Sequence, residues 1–241
     1  MNILAIDTST FLASIAIAVD EQIAAESLLN TNRTLSARLV PEIERLLTTA
    51  GLAIADIDLF ASSIGPGSFT GVRGGVATIQ GLALAVGKPC AGFSSLAMLA
   101  MNFSLSATLV CPMLDARKSE VYAALFDCSS PLPSPRINDC VLAPAALLDQ
   151  IAAMTDQPAI FVGDGARLYH DLIAERLGDQ AIFAPFPLHI PHSSNGALLA
   201  LHAFRRGELL EPSQLLPVYL RASDAEINHA SKKQSSNNSI R

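Results

Sequence analysis

The stretch at residues 62–86 constrains the chain more than any other: S-S-I-G-P-G-S-F-T-G-V-R-G-G-V-A-T-I-Q-G-L-A-L-A-V. A β-branched and aromatic run at 57–64 leads into it and predicts a buried strand. Gly65, Pro66 and Gly67 mark a tight turn, Gly71 closes the loop, and an apolar helical pattern begins near Val72. The free N–H groups of such a loop and the dipole of the helix point the same way, which is the chemistry of an anion site. A glycine-rich turn packed against a neighbouring segment is the plainer alternative.

The spacing removes the common cofactor motifs. Gly65, Gly67 and Gly71 give G-x-G-x-x-x-G, one residue longer than the dinucleotide fingerprint. Val72 and Arg73 follow Gly71 where a P-loop needs Lys and Ser/Thr, and no Asp or Glu occurs between Asp58 and Asp115 to hold a ribose. In the helix, Gly74, Thr78, Gly81 and Ala85 fall three or four apart and make one face of small residues. Glycine inside a helix costs about 1 kcal/mol relative to alanine, so Gly74, Gly75 and Gly81 call for close packing, within this chain or against another protein. The apolar run is expected to be too short to span a bilayer and carries Arg73 and Gln80, so no membrane association is expected.

A chain of 241 residues, half of them hydrophobic, buries a large core in one or two domains. The net charge of −6 argues against a strongly basic nucleic-acid surface, and the absence of tryptophan argues against a base-stacking platform. Residues 1–7 lack a basic n-region and read as a strand cut short by Asp7, not as a signal peptide, so a cytoplasmic address is expected. Cys90, Cys111, Cys128 and Cys140 form no C-x-x-C and are expected to be reduced thiols.

Residues 3–6 form an apolar strand ending in Asp7-Thr8-Ser9-Thr10, and strands at 14–19 and 23–29 complete an antiparallel meander. Leu35, Leu39, Ile43, Leu46, Leu47 and Ala50 then recur at helical spacing, with Pro41 kinking the helix or marking its first turn and Gly51 stopping it. Three strands, a helix, a strand and a helix is the order of a ribonuclease-H-like unit. A strand at 88–93 follows, and Ser94 caps a helix reaching about Met101. The cycle then repeats in fold, though not in sequence. Strands are expected at 109–114, ending in Asp115, and at 120–126 and 137–142; a helix at 144–154; a strand at 159–162 ending in Gly163-Asp164-Gly165; and a helix at 166–177. A last helix at 195–206, an extended segment at 216–220 and disorder from Ser223 close the chain. The domains read as an N-terminal lobe at 1–102, which the 193–222 segment rejoins, a smaller lobe at 103–192, and a tail at 223–241.

Asp7-Thr8-Ser9-Thr10, where a strand turns, suits a hydrated magnesium and a phosphate, or merely an Asx-turn. Asp115 repeats the carboxylate at a strand end, and Gly163-Asp164-Gly165 adds a second glycine turn, so the set fits a nucleotide cleft between two lobes. His189 and His192 are three apart with Pro191 between them and have no Cys or Glu partner, which argues against zinc. G-x-S-x-G is absent, and no histidine precedes His170 to serve Ser68 as a base.

Taken together, Ile3-Leu4-Ala5-Ile6-Asp7-Thr8-Ser9-Thr10, Gly65-Pro66-Gly67-Ser68-Phe69-Thr70-Gly71-Val72-Arg73, Asp115-Ala116-Arg117 with Glu120-Val121-Tyr122, and Pro217-Val218-Tyr219-Leu220-Arg221 resemble the bacterial TsaB (YeaZ) family of tRNA threonylcarbamoyladenosine biosynthesis proteins. The resemblance implies an α/β, actin-like fold (the sugar kinase/Hsp70/actin class) of two tandem ribonuclease-H-like lobes. It implies a non-catalytic scaffold subunit for N6-threonylcarbamoyladenosine at position 37 of tRNA. That subunit binds and activates the related transferase TsaD, works with the ATPase TsaE, meets tRNA only indirectly, and pairs with itself when TsaD is absent. TsaD carries H-x-x-x-H metal ligands after its own G-P-G. Counted along from Gly65-Pro66-Gly67, these positions are Ser95 and Leu99 here, so the resemblance implies no metal site and no catalytic residue. The chain departs from the family pattern at Leu35, where a histidine is common, and at Gly74, where Ile is common.

On this reading the partner face comprises Arg33, Leu39, Ile43, Val72, Arg73, Gly74, Thr78, Gly81 and Ala85. A vestigial nucleotide-type cleft comprises Asp7, Thr8, Gly65, Gly67, Asp115, Gly163, Asp164 and Gly165. No cofactor is expected, with weak ATP or ADP binding left open. The competing reading is an actin-like nucleotide hydrolase or kinase that uses Asp7, Asp115 and the Gly163-Asp164-Gly165 turn.

Overall fold

The computed structural model describes residues 1–30 and 35–221, the side chains at 35 and 36 excepted. Arg33 and the 223–241 tail lie outside the described residues, as does the side chain of Leu35. The first lobe comprises β1 (Asn2–Asp7), β2 (Leu12–Val19), β3 (Gln22–Asn30), α1 (Leu35–Ala50), β4 (Leu59–Gly65), α2 (Phe69–Val86) and β5 (Cys90–Ser94). Next comes α3 (Ser95–Ala100), followed by the second lobe: β6 (Leu109–Arg117), β7 (Glu120–Asp127), β8 (Ser134–Leu142), α4 (Pro144–Met154), β9 (Ala159–Val162), α5 (Asp164–Leu168), α6 (His170–Leu177) and β10 (Ala181–Phe183). α7 (Ser193–Arg205) completes the set.

The sheets are ordered β3-β2-β1-β4-β5 and β10-β9-β6-β7-β8. Read from the other edge, the second repeats the first: three antiparallel strands in sequence, then two parallel ones. These are two tandem ribonuclease-H-like lobes in an actin-like arrangement, as the double cycle predicts. β1 is apolar along nearly its whole length because both faces of its sheet are covered. Leu4 and Ile6 lie in a core shared with α1 and α2, while Ile3 and Ala5 lie in one shared with α7.

Some boundaries differ from expectation. α2 begins at Phe69, not Val72, because Ser68 is its N-cap and accepts from Gly71 N at 3.3 Å. The helix expected at 166–177 is two, divided at Tyr169. Residues 216–220, expected only as an extended segment, lie outside any helix or strand, and Val218 N donates to Ile64 O at 2.8 Å. Pro41 sits inside α1 and not at its first turn. With 18 residues, α2 is long and apolar enough to cross a bilayer by length and composition alone, which corrects the expectation that it is too short. Its Val72, Val76, Ile79 and Ala83 are buried in the first lobe's core, as befits the core helix of a folded domain.

α7 starts without a capping side chain of its own. Glu26 of β3 takes that role: its Oε1 accepts from Ser194 N at 3.0 Å and from Ser194 Oγ at 2.9 Å, and its Oε2 lies 3.5 Å from His192 Nδ1. Burial opposes ionisation of Glu26, but His192 and Ser194 outweigh it and hold the carboxyl below its ordinary 4.5. Hydrogen bonding to Glu26 raises His192 above its ordinary 6.5. The carboxylate therefore stabilises the fold above pH 4.5 and loses that effect as pH falls through its lowered pKa. The imidazolium stabilises it below pH 6.5 and loses that effect as pH rises through its raised pKa. The two windows overlap at about pH 4.5–6.5. Glu26→Gln is expected to cost about 1 kcal/mol at pH 5.5 and distinctly less at pH 8.5, measured as the difference between wild-type and variant denaturant midpoints.

Candidate functional site

The first half of the expected cleft is closed by the chain's own glycine loop. Asp7 and Thr8 have no exposed surface and Ser9 retains 3%. Ser68 N donates to Ser9 O at 2.7 Å, and Thr8 Oγ1 donates to Gly71 O at 2.8 Å. A Cβ on Gly67 would strike Ser9, and one on Gly71 would strike the Thr8 carbonyl oxygen. The loop that resembles a phosphate cradle thus spends its close approach on the Asp7–Ser9 turn itself. Burial pushes the Asp7 carboxyl up, toward its neutral form, and its Oδ2 has no hydrogen-bond partner among the described residues. Asp7, Thr8 and Ser9 therefore present almost no surface to a ligand from this turn.

The second half is tied together within its own lobe. Asp164 Oδ1 accepts from Asp115 N at 3.0 Å. Asp115 accepts from Arg117 N at 2.8 Å and pairs with the Arg117 guanidinium at 3.1 Å. Gly163 has φ +104 and packs on the Met113 carbonyl, and Gly165 packs on Met113 and Leu114, so both glycines serve strand–turn packing. Gly163 N donates to His189 Nδ1 at 2.9 Å, which sequence spacing alone does not reveal. Gly65, at φ +108, faces Val218 O at 3.0 Å from a Cβ position.

α3 occupies the place where metal-binding histidines would fall. Ser95 donates to Pro66 O. Leu99 is 1% exposed and packs with Leu96, Val110, Leu114 and Val162, joining α3 to the second sheet. Ser95 is thus tied to the loop before α2, and Leu99 to the packing between the lobes. Among the described residues no group of three or more His, Cys, Asp or Glu side chains could hold a metal ion.

The outward face of α2 is open. Gly74 and Gly81 are exposed, and among the described residues a Cβ at either position would find no atom within 4 Å. Ala85 is exposed, and Thr78 is half-buried with its hydroxyl on Gly74 O at 2.8 Å. Leu84 on the same helix is 73% exposed. Gly75 differs: its Cβ position collides with Thr8 Oγ1, so that one helical glycine is required by this chain. Leu39, Ile43 and Val72 are corrected. They are 1–2% exposed within the core between α1, α2 and the sheet, because the apolar stripe of α1 turns to the sheet, and they offer nothing to a partner; Val40, 48% exposed, is what α1 shows instead. Arg73 lies 3.9 Å from the Phe69 ring centroid, and its Nε donates to the Tyr219 hydroxyl at 2.6 Å. Phe69, Tyr219 and Gln80, which binds Pro212 O and Leu215 O, clamp the 212–221 segment along α2; Arg221 then reaches Glu120 at 2.6 Å in the second lobe. Sequence reasoning missed this clamp, since Arg73 and Tyr219 are 146 residues apart.

Residues 23–229 match the family model described as TsaD, tRNA N6-adenosine threonylcarbamoyltransferase. The chain is 31% identical over 226 residues to the tRNA threonylcarbamoyladenosine biosynthesis protein TsaB of Bacillus subtilis (strain 168), covering 94% of this chain and 96% of that one. To the protein of the same name from Escherichia coli (strain K12) it is 32% identical over 224 residues, 92% and 95% of the two chains. The solved structure of YeaZ from Pseudomonas aeruginosa superposes with a TM-score of 0.80 at 31% identity, over 91% of this chain and 99% of that one. Near-complete coverage on both sides, together with the glycine loop and the doubled lobe, makes this chain a member of the TsaB (YeaZ) family of tRNA threonylcarbamoyladenosine biosynthesis proteins.

Proposed function

We propose that this chain is a non-catalytic scaffold subunit in tRNA N6-threonylcarbamoyladenosine synthesis, and that it binds and activates a TsaD-type transferase through the outward face of α2. The observation that carries the proposal is that Gly74 and Gly81 are exposed inside a helix, with no described residue within 4 Å of the Cβ position of either. Each costs stability relative to alanine, and no close packing among the described residues calls for a glycine there. Small residues let a partner's backbone come close, so the cost has a use when a second helix lies against α2. The face comprises Arg73, Gly74, Thr78, Gly81 and Ala85, with Leu84 exposed on the same helix. TsaE joins the larger complex, tRNA is met indirectly, and the same face pairs two copies of this chain when the transferase is absent. The setting is the cytoplasm.

Two observations support the non-catalytic reading over an actin-like hydrolase or kinase. Ser95 and Leu99 are spent on packing, and the Asp7–Ser9 turn is closed by residues 67–71. Reconstitution tests the proposal. A TsaD-type transferase with TsaE, tRNA and threonylcarbamoyl-adenylate is expected to modify tRNA only when this chain is added, while the chain alone modifies no tRNA and hydrolyses no ATP. Full modification without it, or turnover by it alone, would overturn the assignment.

A further inference from the structure

We propose that the pocket between the two lobes is a binding site for a small aromatic carboxylate. The pocket has a volume of about 230 Å³ and is walled by Phe11 and Leu12 from the first lobe and by Leu114, Phe186 and Ile190 from the second, with Arg167 at its edge. It is separate from the α2 face and does not depend on the scaffold reading.

Size, walls and charge select the ligand. An apolar cavity of about 150 Å³ takes a benzene ring, so this pocket holds one ring with a short polar arm. Phe186 is 81% exposed and Phe11 55%, each on a different lobe, so a planar ring entering between the lobes covers apolar surface on both sides. Arg167 is exposed and its side chain makes no hydrogen bond or ion pair among the described residues, whereas Arg176, Arg205, Arg206 and Arg221 each hold a carboxylate. A guanidinium fork free of an acidic partner matches a carboxylate in geometry and charge. Asp164 also lines the pocket, where its Oδ1 is engaged by Asp115 N. His189 completes the wall but is not a free ligand: its Nδ1 accepts from Gly163 N and its Nε2 lies 2.9 Å from Ala184 O. A nucleotide is a poor match, because the turn that would meet its phosphates is closed.

Calorimetric titration of the full chain tests this, with phenylacetate as the probe and phenylacetamide, adenosine and ATP beside it. Phenylacetate is expected to bind saturably with Kd of about 0.1–1 mM and at least about tenfold more tightly than phenylacetamide. Arg167→Gln is expected to erase that preference without moving the thermal midpoint, since the side chain holds no hydrogen bond or ion pair among the described residues, and Phe186→Ala to weaken both ligands. Equal affinity for acid and amide, a preference that survives Arg167→Gln, tighter binding of adenosine or ATP, or no saturation below about 10 mM would each overturn the proposal.

Discussion

Gly71→Ala is expected to destabilise the protein by about 3–5 kcal/mol, the largest effect of any single methyl group added to α2. The added Cβ would meet the backbone oxygen of Thr8 well inside contact distance, and backbone cannot turn aside as a flexible side chain can. Relief requires α2 to move away from β1, which breaks the bond from Thr8 Oγ1 to Gly71 O and disturbs Val72 and Val76 in the core. A loss of this size is a large part of the roughly 5–15 kcal/mol that holds a domain folded. Gly74→Ala, three residues on, is expected to do the opposite and gain up to about 1 kcal/mol, because its Cβ meets none of the described residues within 4 Å on a helix. Urea unfolding of both variants checks the pair; wild-type stability for Gly71→Ala would show that the loop does not close on the Asp7–Ser9 turn.

Gly81→Leu is expected to abolish binding to the transferase, a loss of at least about 100-fold or roughly 2.7 kcal/mol, while leaving this chain folded. No described residue lies within 4 Å of the Cβ position at Gly81, and leucine is a better helix former, so the fold is expected to tolerate the change. A helix packed closely against that stripe would be displaced by the side chain. The contrast with Gly71 is the point: two glycines of one helix, one needed for the fold and the other free to be replaced unless a partner needs it.

The sequence held most of the architecture. Apolar runs at 3–6 and 109–114, each followed by a carboxylate and two further strands, made the doubled lobe readable, because burial on both faces of a sheet writes itself as uninterrupted hydrophobic residues. Pro144 fixed the start of α4 by its restricted φ. The break at Tyr169 left no such trace, having neither proline nor glycine at the joint. At the candidate site the limit was one of distance along the chain. Periodicity picked out Leu39 and Ile43 as an apolar stripe but could not tell the core from a partner, since both bury the same kind of surface. Likewise Gly71, Gly75 and Gly81 look alike in sequence. Only the position of Thr8, more than sixty residues away, separates the first two from the third.

The central claim is that α2 presents a face kept small for a partner helix, and the affinity of a purified TsaD-type transferase for this chain tests it most directly. Titration calorimetry should give a saturable complex with the wild-type protein and none with Gly81→Leu, whose circular dichroism and melting temperature match or exceed those of the wild type. Binding of Gly81→Leu at wild-type affinity would contradict the claim and remove α2 from the interface.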